Sequence, residues 1–349
     1  MRFVETASRD FRNLKAGYCS WGEGLNFIIG PNGAGKTNLL ESLNVISGWG
    51  PFGGGKIASL VSWTAPGPAL LAASVDGERC FDVEAMISSR TTLRAGGERV
   101  KHAELRSRLP SLAFLPSDIN LVEGAASVRR HFLDRLCALW IPVYARRLSE
   151  YRQLVRHRCA LLRQNRSVRV TTIPFIKLGG WVRECRRRLV ELLRETFLSE
   201  GPEILPLPIS FELHPAIPLG ASAYQTLEAS LEAERERERY ACRPLSGPHR
   251  DDLRFFCNGR PAALSLSRGQ KRRLILRLIL AAGRVIEGQM RLKPILLFDD
   301  LGAELDAEGR ALAGRLLAGA GWQVFVTGTE IPFPDVSTAF CHRLPPSEV

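Results

Sequence analysis

The residues most capable of chemistry form a short glycine-rich segment near the N-terminus. The segment matches the pattern GxxxxGK[ST], in which glycines let backbone N–H groups turn inward around phosphate oxygens. In this pattern Lys36 reaches the terminal phosphates and the hydroxyl of Thr37 binds Mg²⁺. We therefore predict a nucleoside triphosphate site built from Gly30, Pro31, Asn32, Gly33, Ala34, Gly35, Lys36 and Thr37.

Two adjacent carboxylates, Asp299 and Asp300, follow the apolar run 294–298. An acidic residue at the end of a buried strand is the usual second half of a phosphate-transfer site. We predict that Asp299 holds Mg²⁺, directly or through water, and that Asp300 polarises the attacking water, with Lys36 as the other catalytic residue. A carboxylate pair after an apolar run is also what a strand that simply ends in solvent would look like.

A third motif opens a long helical pattern at Leu266. The segment 266–270 resembles the LSGGQ signature of ABC-type ATPases, with Arg268 in place of one glycine. In that family the signature contacts the γ-phosphate of an ATP molecule held by the other subunit. A serine, a glycine amide and a helix N-terminus suit this task because together they form an anion site, although an ordinary serine-capped helix has the same sequence pattern. The residues predicted to act across the dimer are Ser267, Arg268, Gly269 and Gln270.

The segment that follows the acidic pair, residues 302–306, resembles the D-loop of ABC-type ATPases. Its acidic members are Glu304 and Asp306, and in that family the D-loop lies along the dimer interface. Three motifs in this order favour an ABC-type ATPase with ATP and Mg²⁺ as cofactors.

The elements that must position these motifs can be read from the apolar runs. Residues 25–29 predict a buried strand before the glycine-rich segment, and a helix is predicted from Lys36 onward. Further strands are predicted at 294–298 and 322–326, and a small antiparallel sheet between about 48 and 100. We predict an α/β fold, an ABC-type P-loop NTPase core (a mixed sheet with flanking helices) split by an inserted basic helical lobe. The predicted core is 1–124 with 241–349, and the predicted lobe is 125–240.

The positive charge of the chain is concentrated in the predicted lobe. The formal net charge is +12, from 48 basic and 36 acidic residues, and residues 129–197 alone hold 17 basic and 5 acidic ones. Such a surplus indicates a polyanionic partner, and without a recognition helix the contact is expected to be independent of base sequence. The alternative is that these arginines only solvate a helical surface. The candidate DNA contacts are Arg129, Arg130, Arg146, Arg147, Arg156, Arg163, Arg183, Arg186, Arg187 and Arg188.

The overall composition is that of an ordinary globular protein, with 45% hydrophobic and 24% charged residues. Neither a signal peptide nor an apolar run of about 20 residues is visible, so no membrane anchor is expected. Eight cysteines are scattered without CxxC pairs, a pattern typical of reduced thiols. We therefore predict a cytoplasmic protein.

Nearly the whole chain resembles the RecF family of ABC-type ATPases. The resemblance lies in the segments 10–13, 115–118, 129–134 and 151–162, and above all in Gly247-Pro248-His249-Arg250-Asp251-Asp252-Leu253. The spacing agrees, because Lys36 and Asp299 are 263 residues apart, too far for a transporter ATPase. The insertion is too short for the coiled coil of SMC proteins.

This resemblance implies an ATP-gated homodimer that binds single-stranded, gapped and duplex DNA. It also implies cooperation with RecR and RecO in loading RecA, while slow ATP hydrolysis is expected from the departures that follow. The sequence departs from the family at Gly50–Gly55, which lacks the usual arginine- and serine-containing loop, and it has no Q-loop glutamine. Thr327 stands where many ABC-type ATPases have a switch histidine. The alternatives are a non-hydrolysing DNA-binding scaffold and the ATPase subunit of a membrane transporter.

Overall fold

The structure is a computed structural model that describes residues 1–14, 16–77, 80–215, 221–333, 336 and 339–345, apart from the side chain of Glu304. The chain divides into two compact units. The core unit comprises residues 1–118, 200–206 and 267–349, and the lobe comprises residues 119–199 and 207–266.

The strands and helices follow one another along both units. The strands are β1 (Arg2–Arg9), β2 (Gly17–Ser20), β3 (Leu25–Ile29), β4 (Ala69–Asp76), β5 (Phe81–Ile87), β6 (Thr91–Ala95), β7 (Glu98–Val100), β8 (Ser111–Phe114), β9 (Ile209–His214), β10 (Asp252–Cys257), β11 (Arg260–Pro261), β12 (Ile295–Phe298), β13 (Gln323–Gly328) and β14 (Phe340–Arg343). The α-helices are α1 (Lys36–Ile46), α2 (His102–Arg108), α3 (Asn120–Glu123), α4 (Ala126–Trp140), α5 (Tyr144–Arg163), α6 (Arg169–Ser199), α7 (Ala223–Ala233), α8 (Arg235–Ala241), α9 (Ala262–Ser265), α10 (Arg268–Met290) and α11 (Ala307–Gly319).

A parallel five-stranded sheet forms the centre of the core unit, in the order β14-β3-β13-β12-β8. Every residue of β3, β12 and β13 is buried, as expected for strands covered on both faces. Because all strands are parallel, the segments after β3, β12 and β13 leave the sheet at one edge. This edge therefore collects the glycine-rich segment, the acidic pair and Thr327.

A second sheet of the core unit is antiparallel, in the order β2-β1-β4-β5-β6-β7. Its strands β4 and β5 alternate buried and exposed residues, so one face is apolar and the other faces solvent. Buried side chains of this face, such as Leu71 and Val83, join Leu40 and Leu43 of α1 in one apolar cluster. The mixed α/β architecture predicted from the sequence is confirmed.

The lobe contains the helices α3 to α9 and a three-stranded antiparallel sheet in the order β11-β10-β9. Its small core cluster consists of Tyr151, Phe175, Leu227 and Leu231. The division differs from the predicted one, because residues 119–124 and 241–266 lie in the lobe and residues 200–206 lie in the core unit. Residues 241–266 belong to the lobe because β10 pairs with β9 along its whole length. Within the described part of the chain, no helix is long and apolar enough to cross a membrane.

Candidate nucleotide site

The glycine-rich segment is a turn between β3 and α1. Gly33 and Gly35 have positive φ angles of 84° and 93°, which only glycine adopts without strain. A Cβ atom on Gly35 would also lie 3.0 Å from the side-chain oxygen of Asn13. No side chain caps the N-terminus of α1, so its N–H groups are not occupied by a cap and can bind an anion.

Asn13 holds this turn from outside, a role that the glycine pattern did not reveal. Its Nδ2 donates a hydrogen bond to the carbonyl oxygen of Gly33 at 3.0 Å, and its Oδ1 accepts one from Asn38 at 2.6 Å. The preceding residue, Arg12, is paired with the buried carboxylate of Glu41 at 2.9 Å. The segment 10–13 was singled out by family resemblance alone, and its contacts show that it supports the phosphate-binding turn.

Lys36 places its ammonium group against the mouth of the turn. Its Nζ donates to the carbonyl oxygens of Gly30 at 2.9 Å and of Pro31 at 3.0 Å. The side chain is half-buried, so the ammonium group stays beside the turn and does not extend into solvent. This is the position from which a lysine neutralises phosphate charge.

Asp299 lies at the edge of the sheet and accepts hydrogen bonds from two threonines. The Thr37 hydroxyl donates to its Oδ1 at 2.9 Å and lies 3.1 Å from its Oδ2, and the Thr327 hydroxyl donates to Oδ1 at 2.7 Å. Burial raises the pKa of Asp299 above its ordinary value, against the lowering effect of both threonines and of Lys36. The carboxylate is only 9% exposed.

The predicted magnesium ligands fit that ion chemically. Thr37 and Asp299 offer oxygen atoms only, which are the ligands that Mg²⁺ prefers, and they already lie within hydrogen-bond distance of each other. Mg²⁺ usually takes one or two protein ligands and completes its shell with water and phosphate oxygens. Among the described residues, no cluster of three or more His, Cys, Asp or Glu residues suited to a metal occurs.

Asp300 begins the turn after β12 in a left-handed conformation with φ 53°. Its backbone N–H donates to the Thr327 hydroxyl oxygen at 2.9 Å, and its side chain is half-buried. Asp299, Asp300 and Thr327 line one cavity of about 310 Å³ together with Lys36 and Thr37. The structure thus brings together the glycine-rich turn and both acidic residues.

The signature residues do not line this cavity. Ser267 is the N-cap of α10 and forms a capping box with Gln270, with N···O distances of 2.9 and 3.3 Å. Ser267, Arg268 and Gly269 are exposed. They form an accessible helix N-terminus, and within one chain they are not part of the cavity at the glycine-rich turn.

The predicted D-loop connects to the signature helix through an arginine. Asp306 is the N-cap of α11, where it accepts a hydrogen bond from the Gly309 N–H at 2.9 Å. Its two oxygens also accept from Arg273 of α10 at 2.7 and 2.8 Å, which lowers the pKa of Asp306. The side chain of Glu304 lies outside the described residues.

Four of the ten candidate DNA contacts are engaged inside the lobe. Arg183 and Arg186 are 1% and 2% exposed and bind the buried carboxylates of Asp251 and Asp134 at 2.7 and 2.8 Å. Arg129 grips Asp252 through two nitrogens at 2.6 and 3.0 Å, and the half-buried Arg130 donates to the Asp251 carbonyl oxygen at 2.8 Å. Burial removes Arg183 and Arg186 from the candidate contacts, whereas Arg129 and Arg130, which are only partly buried, stay predicted contacts.

The other six candidates lie on the surface of the lobe. Arg146 and Arg187 are paired with neighbouring glutamates. Arg147 lies over the ring of Trp181 at 4.6 Å, and Arg188 lies over Trp140 at 5.7 Å. Of these six, Arg156 and Arg163 are exposed and have no hydrogen-bond, ion-pair or aromatic-ring partner within the described ranges.

The segment 247–253 is the structural centre of the lobe. The Pro248 carbonyl oxygen accepts from Arg186 at 2.6 Å, and Asp251 and Asp252 bind the arginines described above. His249 accepts a hydrogen bond from the Tyr151 hydroxyl at Nδ1, at 2.7 Å, because its Nε2 faces the Pro244 carbonyl at 3.3 Å and must carry the proton. The most specific motif of the sequence therefore organises the lobe from within.

Comparisons with known proteins agree with this architecture. The family model described as RecF/RecN/SMC N terminal domain matches residues 5–335. The DNA replication and repair protein RecF of Moorella thermoacetica is 32% identical, covering 92% of this chain and 88% of that protein. RecF of Myxococcus xanthus is 31% identical, covering 95% and 91%.

Solved structures show the same fold. The recombination mediator protein RecF-ATPrS in the RecFOR pathway superposes with a TM-score of 0.87 and 24% identity, covering 98% of this chain and 95% of that one. An Smc head bound to the C-winged helix domain of ScpA gives a TM-score of 0.57 at 15% identity, covering 95% and 90%.

Proposed function

This chain belongs to the RecF family of ABC-type ATPases, and from that premise we propose that it is an ATP-gated DNA-binding protein of recombinational repair. ATP is the proposed ligand of the cavity at the glycine-rich turn. The observation that carries this proposal is the convergence of Lys36, Thr37, Asp299 and Asp300 on that cavity. A solved relative is described as a complex of RecF with ATP, which agrees with this choice of nucleotide.

The proposed reaction is slow hydrolysis of ATP to ADP and phosphate. Lys36 and the N–H groups at the start of α1 bind the phosphates, and Thr37 and Asp299 hold Mg²⁺, which would neutralise phosphate charge. Asp300 accepts the proton of the attacking water. The absence of a Q-loop glutamine and of a switch histidine at position 327 leaves fewer groups to orient that water, so low turnover is expected.

The proposed gate is dimerisation around ATP. The exposed N-terminus of α10 in one subunit closes over the γ-phosphate held by the other subunit, where its N–H groups and Arg268 meet negative charge. Hydrolysis removes that phosphate and opens the dimer, so ATP acts as a ligand that shifts an open–closed equilibrium.

DNA is the proposed partner of the surface arginines of the lobe. Contacts from arginine to phosphate bind single-stranded, gapped and duplex DNA without reading base sequence. RecR and RecO are proposed partners because the family acts with them in loading RecA, and a solved relative is described as part of the RecFOR pathway.

Sedimentation velocity with and without ATP and a gapped duplex tests this function. The wild-type protein is expected to become a dimer with ATP and then to co-sediment with DNA. Ser267→Arg places a second bulky cation at the capping position of α10, so it is expected to bind ATP and stay monomeric. Asp300→Asn is expected to dimerise and remain closed, because only hydrolysis is lost. A Ser267→Arg protein that dimerises on DNA like the wild type would contradict the proposal.

A non-hydrolysing scaffold is the second candidate, favoured by the same missing glutamine and histidine. It would use ATP only to hold the dimer together. Release of phosphate in a single turnover, measured with DNA present, distinguishes it, since the Asp300→Asn variant would then behave like the wild type.

A further inference from the structure

We propose that Thr327 is the positioning residue that holds the acidic pair of the nucleotide site, through the carboxylate of Asp299 and the backbone N–H of Asp300. The inference rests on the proposed ATPase function and assigns to Thr327 the task of presenting Asp299 and Asp300 to the bound nucleotide. Thr327 is completely buried and belongs to β13.

The position of β13 in the sheet explains why this residue can do so. The strand lies directly between β3, which precedes the glycine-rich turn, and β12, which precedes the acidic pair. Thr327 pairs with Ile28 of β3, one residue beyond the Val326–Phe298 pair with β12. At this point a short β-branched side chain is long enough to contact the acidic pair that follows the neighbouring strand β12.

Both hydrogen-bonding functions of the hydroxyl are used. The O–H donates to Asp299 Oδ1 at 2.7 Å, and the oxygen accepts from the backbone N–H of Asp300 at 2.9 Å. One hydroxyl therefore fixes the side chain of Asp299 and the left-handed backbone of Asp300. Its engagement with both leaves it poorly placed to bind the nucleotide itself.

The next residue extends this link to the glycine-rich turn. The Gly328 carbonyl oxygen accepts a hydrogen bond from the Gly30 N–H at 3.2 Å. A side chain at Gly328 is excluded, because its Cβ would lie 2.8 Å from the Glu330 carbonyl oxygen. The end of β13 thus links the start of the turn to the acidic pair, and Thr327 is the residue of this link that contacts the Asp299 carboxylate and the Asp300 backbone.

The division of oxygens on Asp299 shows what the contact achieves. Thr327 binds Oδ1 alone, whereas the Thr37 hydroxyl lies within reach of both oxygens. Within the described part of the chain, Oδ2 is therefore left to Thr37, the other predicted Mg²⁺ ligand. Without the Thr327 hydroxyl, the Asp299 carboxylate would keep only its hydrogen bond with Thr37. It would then be free to rotate away from the predicted Mg²⁺ site.

The test compares variants that differ by one hydroxyl group. Thr327→Val keeps the volume and loses the hydroxyl, while Thr327→Ser and Thr327→Ala form a second pair that differs in one oxygen atom. The main measurement is the ATP dissociation constant in EDTA and in excess Mg²⁺, obtained with a fluorescent ATP analogue. The kcat and KM of hydrolysis and the thermal midpoint are measured on the same proteins.

The expected results follow from the loss of a hydrogen bond to a carboxylate. Affinity in EDTA is expected to stay within about twofold in all variants, since the phosphate-binding turn keeps its own bonds. The gain in affinity from Mg²⁺ is expected to fall about tenfold in Thr327→Val and Thr327→Ala, with a similar fall in kcat and little change in KM. Thr327→Ser should retain both.

Two outcomes distinguish failure of the Thr327 role from failure of the proposed ATP site. If the wild type binds ATP and hydroxyl-free variants gain as much from Mg²⁺ as their hydroxyl-bearing counterparts, the role of Thr327 is overturned while the proposed function stands. If the wild type binds no ATP either in EDTA or in excess Mg²⁺, the proposed function fails and this inference fails with it. Should Thr327→Val not fold, the serine and alanine pair decides the question.

Discussion

At the scale of single residues, the site is built from short side chains with fixed partners. Thr37, Asp299 and Thr327 form a chain of hydrogen bonds of 2.7 to 2.9 Å at the edge of the parallel sheet. Buried polar groups of this kind are costly unless satisfied, so each one restricts the orientation of the next. The outcome is an Asp299 carboxylate that is held in place without a bound nucleotide.

A second fixed residue, His249, makes the stability of the lobe depend on pH. Burial, aided by nearby arginines, lowers the pKa of His249 to about 4, well below its value of about 6.5 in an unfolded chain. Between about pH 6.5 and pH 4, His249 is protonated in the unfolded chain but neutral in the folded one. The free energy of unfolding therefore falls as the pH decreases from about 6.5 towards 4. We expect the His249 contribution to cost on the order of 1–2 kcal/mol at pH 5 relative to pH 7.5.

Urea unfolding of the wild type and of His249→Gln at both pH values measures this effect. Glutamine can still accept from Tyr151 but does not titrate, so the pH-dependent difference between the two proteins isolates the histidine. Equal losses of stability in both proteins would show that His249 is not the group responsible.

At the scale of elements, the lobe helices separate two kinds of arginine. The exposed Arg156 and Arg163 of α5 are available to phosphate, whereas Arg183 of α6 is locked against Asp251. We expect the double variant Arg156→Gln/Arg163→Gln to fold normally and to bind DNA more weakly. The slope of log binding constant against log salt should fall by about 2 if each arginine contacts one phosphate.

The matched control is Arg235→Gln/Arg237→Gln on α8, since these arginines are also exposed but are paired with Glu232 and Glu234. An equal loss of DNA binding in this control would mean that the overall charge, and not α5, attracts DNA.

Arg183→Ala is expected to act differently and to destabilise the lobe by about 3–5 kcal/mol, because it breaks a buried ion pair.

These elements also show why some features were predictable and others were not. The glycine-rich turn and the acidic pair were identified because their chemistry is written in adjacent residues and in short buried strands. The burial of Arg183 and Arg186 was missed because their partners Asp134 and Asp251 lie about 50 to 70 residues away in sequence. Helical periodicity identifies a face but does not say what covers it.

The lobe boundary was misplaced for a similar reason. Strand β10 lies shortly before the signature region, with only β11 and α9 between them, so its sequence position suggested the core unit. Its full pairing with β9, some 40 residues earlier, places it in the lobe. Strand pairing at that distance leaves no local pattern in the sequence, whereas the buried strands β3, β12 and β13 of the core unit were predicted from their uninterrupted apolar runs.

At the scale of the whole molecule, the proposed nucleotide site requires two copies of the chain. The cavity at the glycine-rich turn lacks the signature residues, because the exposed N-terminus of α10 does not line it within the described part of one chain. A triphosphate shared between two subunits would unite the two halves. ATP binding, dimerisation and the grip on DNA would then be one coupled equilibrium.

Complementation between two damaged chains tests this claim most directly. Lys36→Ala removes the phosphate-binding lysine, and Ser267→Arg blocks the signature, so neither variant alone should retain gapped DNA in the presence of ATP. When the two variants are mixed, they form dimers with one intact composite site. We therefore expect ATP-dependent DNA retention to return. A mixture as inactive as its components, while each variant remains folded, would contradict a nucleotide shared between subunits.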